Sequence, residues 1–389
     1  MQSSRPRLTP AIADVRRAVR DSLALLGVSV PNEGTIAPAR NSLAEPRENA
    51  STVPSFGPET AADAPLVLVA LSGGPDSLAL AAATAFEAPR AGFRAGAVIV
   101  DHGLQAGSAD VAAAAAAQAT ALGLDPVLVQ AVQVGTDGGP ESAARDARYA
   151  ALASAASDTA AVAILLGHTL DDQAETVLLG LARGSGATSL HGMAASSAMG
   201  TGHGPHAHSR AYLRPMLGIR RSMTEQFCAD SGLTPWNDPH NLNAAFARVR
   251  VRQSVLPMLE SEIGPGIAEA LARTADQLRE DADALDHFAE EIAEDFAEIV
   301  EAGIALPVSA LAAQPAALRQ RLIRLVVASE FHLSLSRAQT LEVARLVTDW
   351  HGQKPLDLPG VTVERRSGLI VFAASTVGEL TGQDPILEH

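Results

Sequence analysis

Between residues 65 and 186 the chain repeats one pattern three times: a short apolar run, a polar turn, then an alanine-rich stretch of helical length. The copies are PLVLVALSGGPDSLALAAATAFEA (65–88), RAGAVIVDHGLQAGSADVAAAAAAQATALGL (94–124) and AVAILLGHTLDDQAETVLLGLARGSG (161–186). A further apolar run, PVLVQAV (126–132), and the helical GPESAARDARYAALASAAS (139–157) lie between the second and third. Runs this short and continuously apolar read as strands buried on both faces, and a helix after each strand brings the next one back parallel to it. The expected fold class is α/β, a doubly wound parallel sheet covered by helices on both sides. Ligands bind such sheets beyond the carboxyl ends of the strands. The turns SGGPDS (72–77), DHGL (101–104) and GHTLDD (167–172) all fall at those ends and should converge on one site.

The flanks read differently. TPAIADVRRAVRDSLALL (9–26) has the spacing of an amphipathic helix, with a threonine at its N-cap and Pro10 at its first position. Residues 27–64 are rich in Pro, Gly, Ser, Asn and Glu without periodicity and read as a linker. From about Asp238 onward strand signals give way to helices, and PLDLPGVTVERRSGLIVF (355–372) alternates like a hairpin. The expected organisation is a helix and linker over 1–64, the α/β domain over 65–235, a helical domain over 236–347 and a short C-terminal β element over 348–389.

Composition narrows the chemistry. One cysteine, Cys228, excludes a disulfide framework, a Cys-rich metal site and any mechanism that needs two thiols in one chain. No apolar stretch reaches bilayer length and the N-terminus lacks an apolar signal core, so a cytoplasmic protein with no membrane partner is expected. A net charge of −15 argues against a general nucleic-acid coat. The charge is uneven, however: Arg210 to Glu260 carries seven arginines against four acids, whereas Leu271 to Val300 carries ten acids and two arginines. In that acidic stretch Leu271, Leu278, Leu285, Phe288, Ile292, Phe296 and Ile299 recur at helical spacing, which makes the acids a solvated helix face. Lys354 is the only lysine.

In SGGPDS the two glycines let backbone approach an anion, and the helix that follows offers unpaired N–H groups and the positive end of its dipole. Pro75 suits the first turn of that helix. No Walker loop, G-x-G-x-x-G, G-x-S-x-G or H-E-x-x-H occurs, and the one lysine is distant in sequence. Bound phosphate would therefore be offset by arginines and a divalent cation. Mg²⁺ takes one or two carboxylates together with phosphate oxygens, which gives Asp76 a purpose beside the loop. The plainer alternative is an ordinary turn with a capping aspartate.

SGGPDS after LVLVAL resembles the pyrophosphate-binding loop of the N-type ATP pyrophosphatases, the PP-loop superfamily. Five more segments narrow the likeness: VDHGL (100–104), ESAARDARYAAL (141–152), GHTLDDQAETVLLGLARGSG (167–186), RPMLGIRR (214–221) and WNDPHNLNAAFARVRVRQSVLPMLE (236–260). In this order they resemble the tRNA(Ile)-lysidine synthetases, over roughly residues 65–260 and more weakly to WHGQKPLDLPG (350–360). The resemblance implies an ATP-dependent ligase that joins L-lysine to the wobble cytidine of a CAU-anticodon tRNA(Ile). The cytidine carbonyl would be adenylated with release of pyrophosphate, and lysine would then displace AMP.

Carried over residue by residue, Ser72, Gly73, Gly74, Pro75 and Ser77 would hold ATP, with His102 and His168 beside it, and Asp76 and Asp172 would hold Mg²⁺. Asp76, Asp172, Arg145 and Arg148 are the candidate catalytic residues, and Glu141 and Glu175 the candidate acceptors for lysine. Glu141, Arg145 and Arg148 form one stripe of a helix, which equally permits a surface salt-bridge ladder. Asp171 and Glu175 also read as first-turn acids that complement a helix dipole. Arg183, Arg248, Arg250 and Arg252 are the candidate tRNA contacts, the last three on one side if extended and fanned if helical. Trp236 reads as a base-stacking residue or as a buried core tryptophan.

Some positions depart from the family pattern. Gln105 stands where an arginine is frequent, which puts one phosphate contact in doubt, and Val249 where an asparagine is frequent. SSAMGTGHGPHAHSR (196–210) reads as an insertion, and His203, His206 and His208 as a loop rather than a metal site. A tRNA thiolase of the same superfamily would need further cysteines or an iron–sulfur cluster. Amide-forming relatives share the loop but not the later segments, and a nucleotide-binding module without catalysis would have no use for a metal-holding carboxylate. A homodimer is compatible with the sequence, which does not decide the oligomeric state.

Overall fold

The computed structural model describes residues 8–27, 61–103, 107–135, 140–184, 187–199, 210–236, 238, 243–301 and 303–375, with backbone only at 140, 141, 187 and 188. Two units divide the chain, Met1–Asp276 and Gln277–His389.

In the first unit β1 (Leu66–Ala70), β2 (Arg94–Asp101), β3 (Val127–Ala131), β4 (Ala163–Leu165), β5 (Ser196–Ala198) and β6 (Ala211–Leu213) form one sheet in the order β3-β2-β1-β4-β6-β5. β1 pairs in parallel with β2 on one side and β4 on the other; β2 pairs with β3 and β4 with β6 in the same sense. Only β5 is antiparallel, with Ser196 opposite Leu213 and Ala198 opposite Ala211. The segment expected to be an inserted loop from residue 196 therefore opens with an edge strand. Its three-residue strands are too short to show an alternation, and His203, His206 and His208 lie outside the described residues.

The helices of this unit are α1 (Pro10–Ala24), α2 (Pro75–Glu87), α3 (Ser108–Ala121), α4 (Pro140–Asp158), α5 (Leu170–Ala182), α6 (Ala187–Leu190), α7 (Arg221–Asp230), α8 (Ala247–Arg250) and α9 (Leu256–Glu262), and α10 (Ile267–Phe296) begins in it. Successive side chains of a strand face opposite ways, so β1 feeds two cores. Val67, Val69 and Leu71 join Val15, Leu78, Ala115 and Phe227, while Leu66, Leu68 and Ala70 join Leu152, Ala155 and Ala156 of α4. Alanine at Ala79, Ala81 and Ala83, all buried, lets α2 lie close to the sheet.

The N-terminal helix belongs to this body. Thr9 caps it and accepts from the Ile12 N–H at 3.4 Å, and Val15 and Val19 are fully buried. Its polar anchor is Glu87 at the end of α2, which is 1% exposed and accepts from Arg16 Nε at 2.7 Å and Arg20 Nε at 3.0 Å.

In the second unit α11 (Val308–Ala313), α12 (Ala316–Phe331) and α13 (Arg337–Thr348) pack with a five-stranded antiparallel sheet. β7 (Glu298–Val300), β8 (Gly303–Pro307), β9 (Leu356–Leu358), β10 (Val361–Arg366) and β11 (Leu369–Ala374) run in the order β7-β8-β11-β10-β9. The expected C-terminal hairpin is β10–β11, closed by Ser367 and Gly368, both at positive φ as a tight hairpin turn requires. It is not a separate element: Leu322, Ile323, Val326 and Val343 from the helices share one core with Val361, Ile370 and Phe372. β7 and β8 fall where only helix was expected. Ile299 continues the helical spacing of α10 in sequence, but the helix ends at Phe296 and Ile299 lies on the edge strand, 90% exposed. Among the described residues no helix is long and apolar enough to cross a membrane.

Burial opposes the charge of Glu87, but its hydrogen bonds from Arg20 and Arg16 hold the carboxyl below the ordinary range. A depressed native pKa contributes stability above the unfolded pKa, which is lost as pH falls through the native one. Glu87→Gln should therefore lower unfolding stability at neutral pH by about 1 kcal/mol, the low end for charge-assisted hydrogen bonds because the donors Arg16 and Arg20 are partly solvated. In urea titrations the gap between the two proteins should close as pH falls through the native pKa of Glu87.

Candidate active site

Strand order reverses at β1, so the chain leaves the sheet in opposite directions after β1 and β4 and a crevice opens between their carboxyl ends. The turn after β1 is tied by its own serines. The Ser72 N–H donates to Ser77 Oγ at 3.1 Å, and Ser77 Oγ donates to the Gly74 carbonyl at 3.0 Å. Gly73 has φ +83°, which an L-residue adopts only with strain. Gly74 caps α2 without a side chain and Pro75 is its first residue, so the opening N–H groups of the helix face the crevice mouth unmasked. The turn after β4 packs on this loop: a Cβ at Gly167 would come within 3.2 Å of Ser77 backbone.

Three carboxylates meet beside the loop. Asp172 reaches back to the start of α5, where its Oδ2 accepts from Thr169 N at 2.8 Å and Thr169 Oγ1 at 2.9 Å, leaving Oδ1 to face outward. Arg221, the first residue of α7, lies among all three: its Nε is 3.2 Å from Asp76 Oδ2, its Nη2 2.8 Å from Asp172 Oδ1 and its Nη1 3.4 Å from Glu175 Oε1. Arg252 adds Nε to Glu175 Oε1 at 2.6 Å and Nη2 to Asp172 Oδ1 at 3.3 Å, and Arg248 Nε stands 3.8 Å from Glu175 Oε2. The Thr224 hydroxyl, one turn further along α7, donates to Asp76 Oδ1. Glu175 is fully buried, and a buried carboxylate without such partners would be strongly unfavourable.

The carboxylates are not equivalent. Burial and the neighbouring Asp172 raise the Asp76 pKa above the ordinary range, against the restraint of Arg221 and Thr224. Burial also works against the charge of Asp172, but Arg221, the Thr169 N–H, His168 and Arg252 together hold its carboxyl below that range. Asp76 and Asp172 share one guanidinium, so a single cation can reach both. Two carboxylates together with phosphate oxygens is a donor set that Mg²⁺ takes.

Beyond the ends of β1 and β2 lies a cleft of about 410 Å³ lined by Ser72, Asp101, His102, Ser108, Arg148 and Trp236. The Trp236 N–H donates to the Gly73 carbonyl at 2.9 Å and pins one wall of the cleft to the loop. Arg148 has burial and then the nearby Arg145 set against its charge, and among the described residues it has no carboxylate partner. Burial, then Arg148, Arg214 and Arg145, push the His168 pKa down to about 3 against the pull of Asp172, and its Nδ1 is buried without a partner. His102 is likewise lowered by burial and Arg148, with Asp101 opposing, and its Nδ1 also lacks a partner.

The fold thus gathers most of the residues singled out from the sequence and divides others. Ser72, Gly73, Gly74, Pro75, Asp76 and Ser77 lie with His168 and Asp172 at the crevice, and His102 and Arg148 at the cleft. Arg145 is exposed, its guanidinium 5.0 Å from the Tyr149 ring. The Glu141 side chain and Gln105 lie outside the described residues. Arg183 is exposed at the far end of α5, about 16 Å along the axis from Asp172 at 1.5 Å per residue. Arg248, Arg250 and Arg252, expected to meet tRNA and to fan out if helical, lie on helical turns and are fanned. Arg248 and Arg252 turn inward to Glu175, Val249 and Val251 are buried, and exposed Arg250 donates to the Ala244 and Ala245 carbonyls. Each Glu175 oxygen accepts from Arg252, Oε1 from its Nε at 2.6 Å and Oε2 from its Nη2 at 3.0 Å. Arg221 and Thr224 were not among the candidate site residues; the arginine pair that closes RPMLGIRR was the available signal for Arg221.

Residues 49–259, more than half of the chain, match the family of PP-loop domains, and residues 306–370 match the TilS substrate binding domain. The tRNA(Ile)-lysidine synthase of Leifsonia xyli is 62% identical over 82% of this chain and 93% of its own length. Those of Thermobifida fusca and Streptomyces coelicolor are each 51% identical, over 79% and 78% of this chain and 92% and 84% of their own. Identity at this level over nearly the whole of a relative shows the family: the chain belongs to the tRNA(Ile)-lysidine synthases.

Proposed function

We propose that this chain ligates L-lysine to the wobble cytidine of a CAU-anticodon tRNA(Ile) in the cytoplasm, with conversion of ATP to AMP and pyrophosphate. The observation that carries the reading is the near full-length match to tRNA(Ile)-lysidine synthases, with the SGGPDS loop, Asp76 and Asp172 together at the switch point of the sheet.

The cytidine carbonyl oxygen attacks the α-phosphate of ATP and pyrophosphate leaves. The lysine ε-amine then attacks carbon 2 of the ring, AMP departs, and the amine proton passes to solvent or a nearby carboxylate. The protein contributes position and charge. Ser72, Gly73, Gly74 and Ser77 with the start of α2 receive the departing pyrophosphate, and Pro75 leaves no competing N–H at the first helical position. Arg148, which has no carboxylate partner among the described residues, meets phosphate charge, and Arg145 stands one turn away on the same helix. Asp76 and Asp172 would hold Mg²⁺, which supplies charge neutralisation at the phosphates. Neutral His168 and His102 hydrogen-bond beside ATP without adding charge. Lysine brings an ammonium that exchanges with an arginine at the Glu175–Asp172 cluster, or is met by Glu141. The tRNA lies across the basic stretch, with exposed Arg250 and Arg183 as backbone contacts, and Trp236 bounds the cleft that takes the nucleotide.

Incubation of the protein with ATP, lysine and an unmodified tRNA(Ile) transcript, followed by nucleoside mass spectrometry, should show lysidine, with AMP and pyrophosphate in equal amounts. Asp76→Ala should cut turnover by roughly 10²- to 10³-fold, the scale for one preorganised charged group, with its circular dichroism unchanged. Wild-type turnover in that variant would remove Asp76 from the mechanism.

His168 gives a check that needs no substrate. Its native pKa lies below the unfolded value, so between the two the unfolded chain binds more protons, and this residue subtracts stability as pH falls through that window. Its imidazole NMR resonances should not titrate between about pH 5 and 8, where an ordinary histidine does.

A further inference from the structure

Arg221 can touch three carboxylates only if α7 starts at the right place and rotation. Its backbone is fixed from outside the carboxylate cluster. Asp171, the neighbour of Asp172 on α5, accepts from two consecutive residues at the start of α7, the N-cap Arg220 and Arg221. Asp171 Oδ2 takes the Arg221 N–H at 2.7 Å, and Asp171 Oδ1 takes Arg220 Nη1 at 3.2 Å. Arg220 is the N-cap residue of α7 and has no side-chain bond within that helix. Its guanidinium is instead braced from behind. Nε and Nη2 lie 2.7 and 2.8 Å from the two oxygens of Glu269 on α10, and Nη2 lies 3.1 Å from Glu260 on α9. Glu260 in turn accepts from the Gly266 N–H at 2.6 Å and the Ala268 N–H at 3.2 Å at the start of α10.

We infer that the Asp171–Arg220 pair is a positioning device for the reaction proposed above: it sets the first turn of α7 so that Arg221 and Thr224 meet Asp76, Asp172 and Glu175. Neither residue faces the reacting groups. A planar fork suits the task because one guanidinium can hold Asp171, Glu260 and Glu269 at fixed angles, which a point charge cannot. The adjacent pairs divide the work: Asp172 and Arg221 face the site, and Asp171 and Arg220 hold the two helices that carry them. The inference rests on the functional reading for its kinetic consequence but not for its structural one.

The test compares wild type with Arg220→Gln and Asp171→Asn. Each variant should lower kcat for lysidine formation by roughly 10- to 100-fold, the scale of a displacement of about 1 Å at a reacting constellation, without a matching change in KM for tRNA. The double variant should be no worse than the weaker single one, because the two residues act as one unit. Arg220→Lys should recover only part of the loss. The second readout needs no substrate: phenylglyoxal modification mapped by mass spectrometry, with buried Arg214 as internal reference. In both variants Arg221 should react faster while Arg214 does not. Unchanged Arg221 reactivity in both variants, or equal acceleration at Arg214, would overturn the inference, since the second result means general loosening. A wild-type protein that makes no lysidine overturns the functional reading, and the labelling still decides whether the pair holds Arg221.

Discussion

The parallel pairing of β1 with strands on both of its edges is the constraint from which the site follows. A strand buried on both faces and hydrogen-bonded on both edges has no room for polar side chains, so chemistry is displaced to its end. Because β2 and β4 lie on opposite sides of β1, the helices after β1 and β4 start together, and the uncapped start of α2 opens beside the Thr169–Asp172 cap of α5. Close approach there requires small residues: Gly73 for the left-handed turn and Gly167 where one turn lies on the other.

That crevice holds charge in an otherwise apolar body, and arginine makes this possible. Asp76, Asp172 and Glu175 are joined through Arg221, and Arg252 and Arg248 complete the balance. Guanidinium groups tolerate partial burial better than ammonium groups and present several donors in a plane. The division is uneven. Asp172 has backbone and arginine partners and stays ionised, whereas Asp76 shares Arg221 and is raised by burial. Asp76 is thus the carboxylate with most to gain from an added cation, and it is the one nearest the phosphate loop in sequence. On the other side Arg148 is a cation with most to gain from an added anion.

The acidity of the whole chain does not oppose tRNA binding, because the charges are local. The acids of 271–300 belong largely to one long helix, α10, while Arg220, Arg221, Arg248 and Arg252 of the 210–260 stretch lie at and around the crevice. Not all of those arginines are open to a nucleic acid. Arg220, Arg221, Arg248 and Arg252 are engaged by carboxylates, and the inward turn of two of them follows from helix geometry, since positions four apart share a face.

Local pattern alone determined strands β1 to β4 of the main sheet, the helices after them, the capped N-terminal helix, the phosphate loop and the carboxyl-end convergence of its turns. Each rests on periodicity or on a glycine or proline whose effect is local. The three-residue strands β5, β6 and β7 are shorter than any period, and β8 interrupts a helical reading, so these needed their pairing partners to exist. Arg221 and Thr224 lie about 145 residues from Asp76 in sequence, and no spacing rule connects them. The sequence supplied the right kinds of groups. Which guanidinium meets which carboxylate, and which residues merely hold the helix that carries it, was decided by the packing of α7 on α1 and α2 and by the polar contacts of its first turn with α5, because only tertiary contacts fix the rotation of a helix about its own axis.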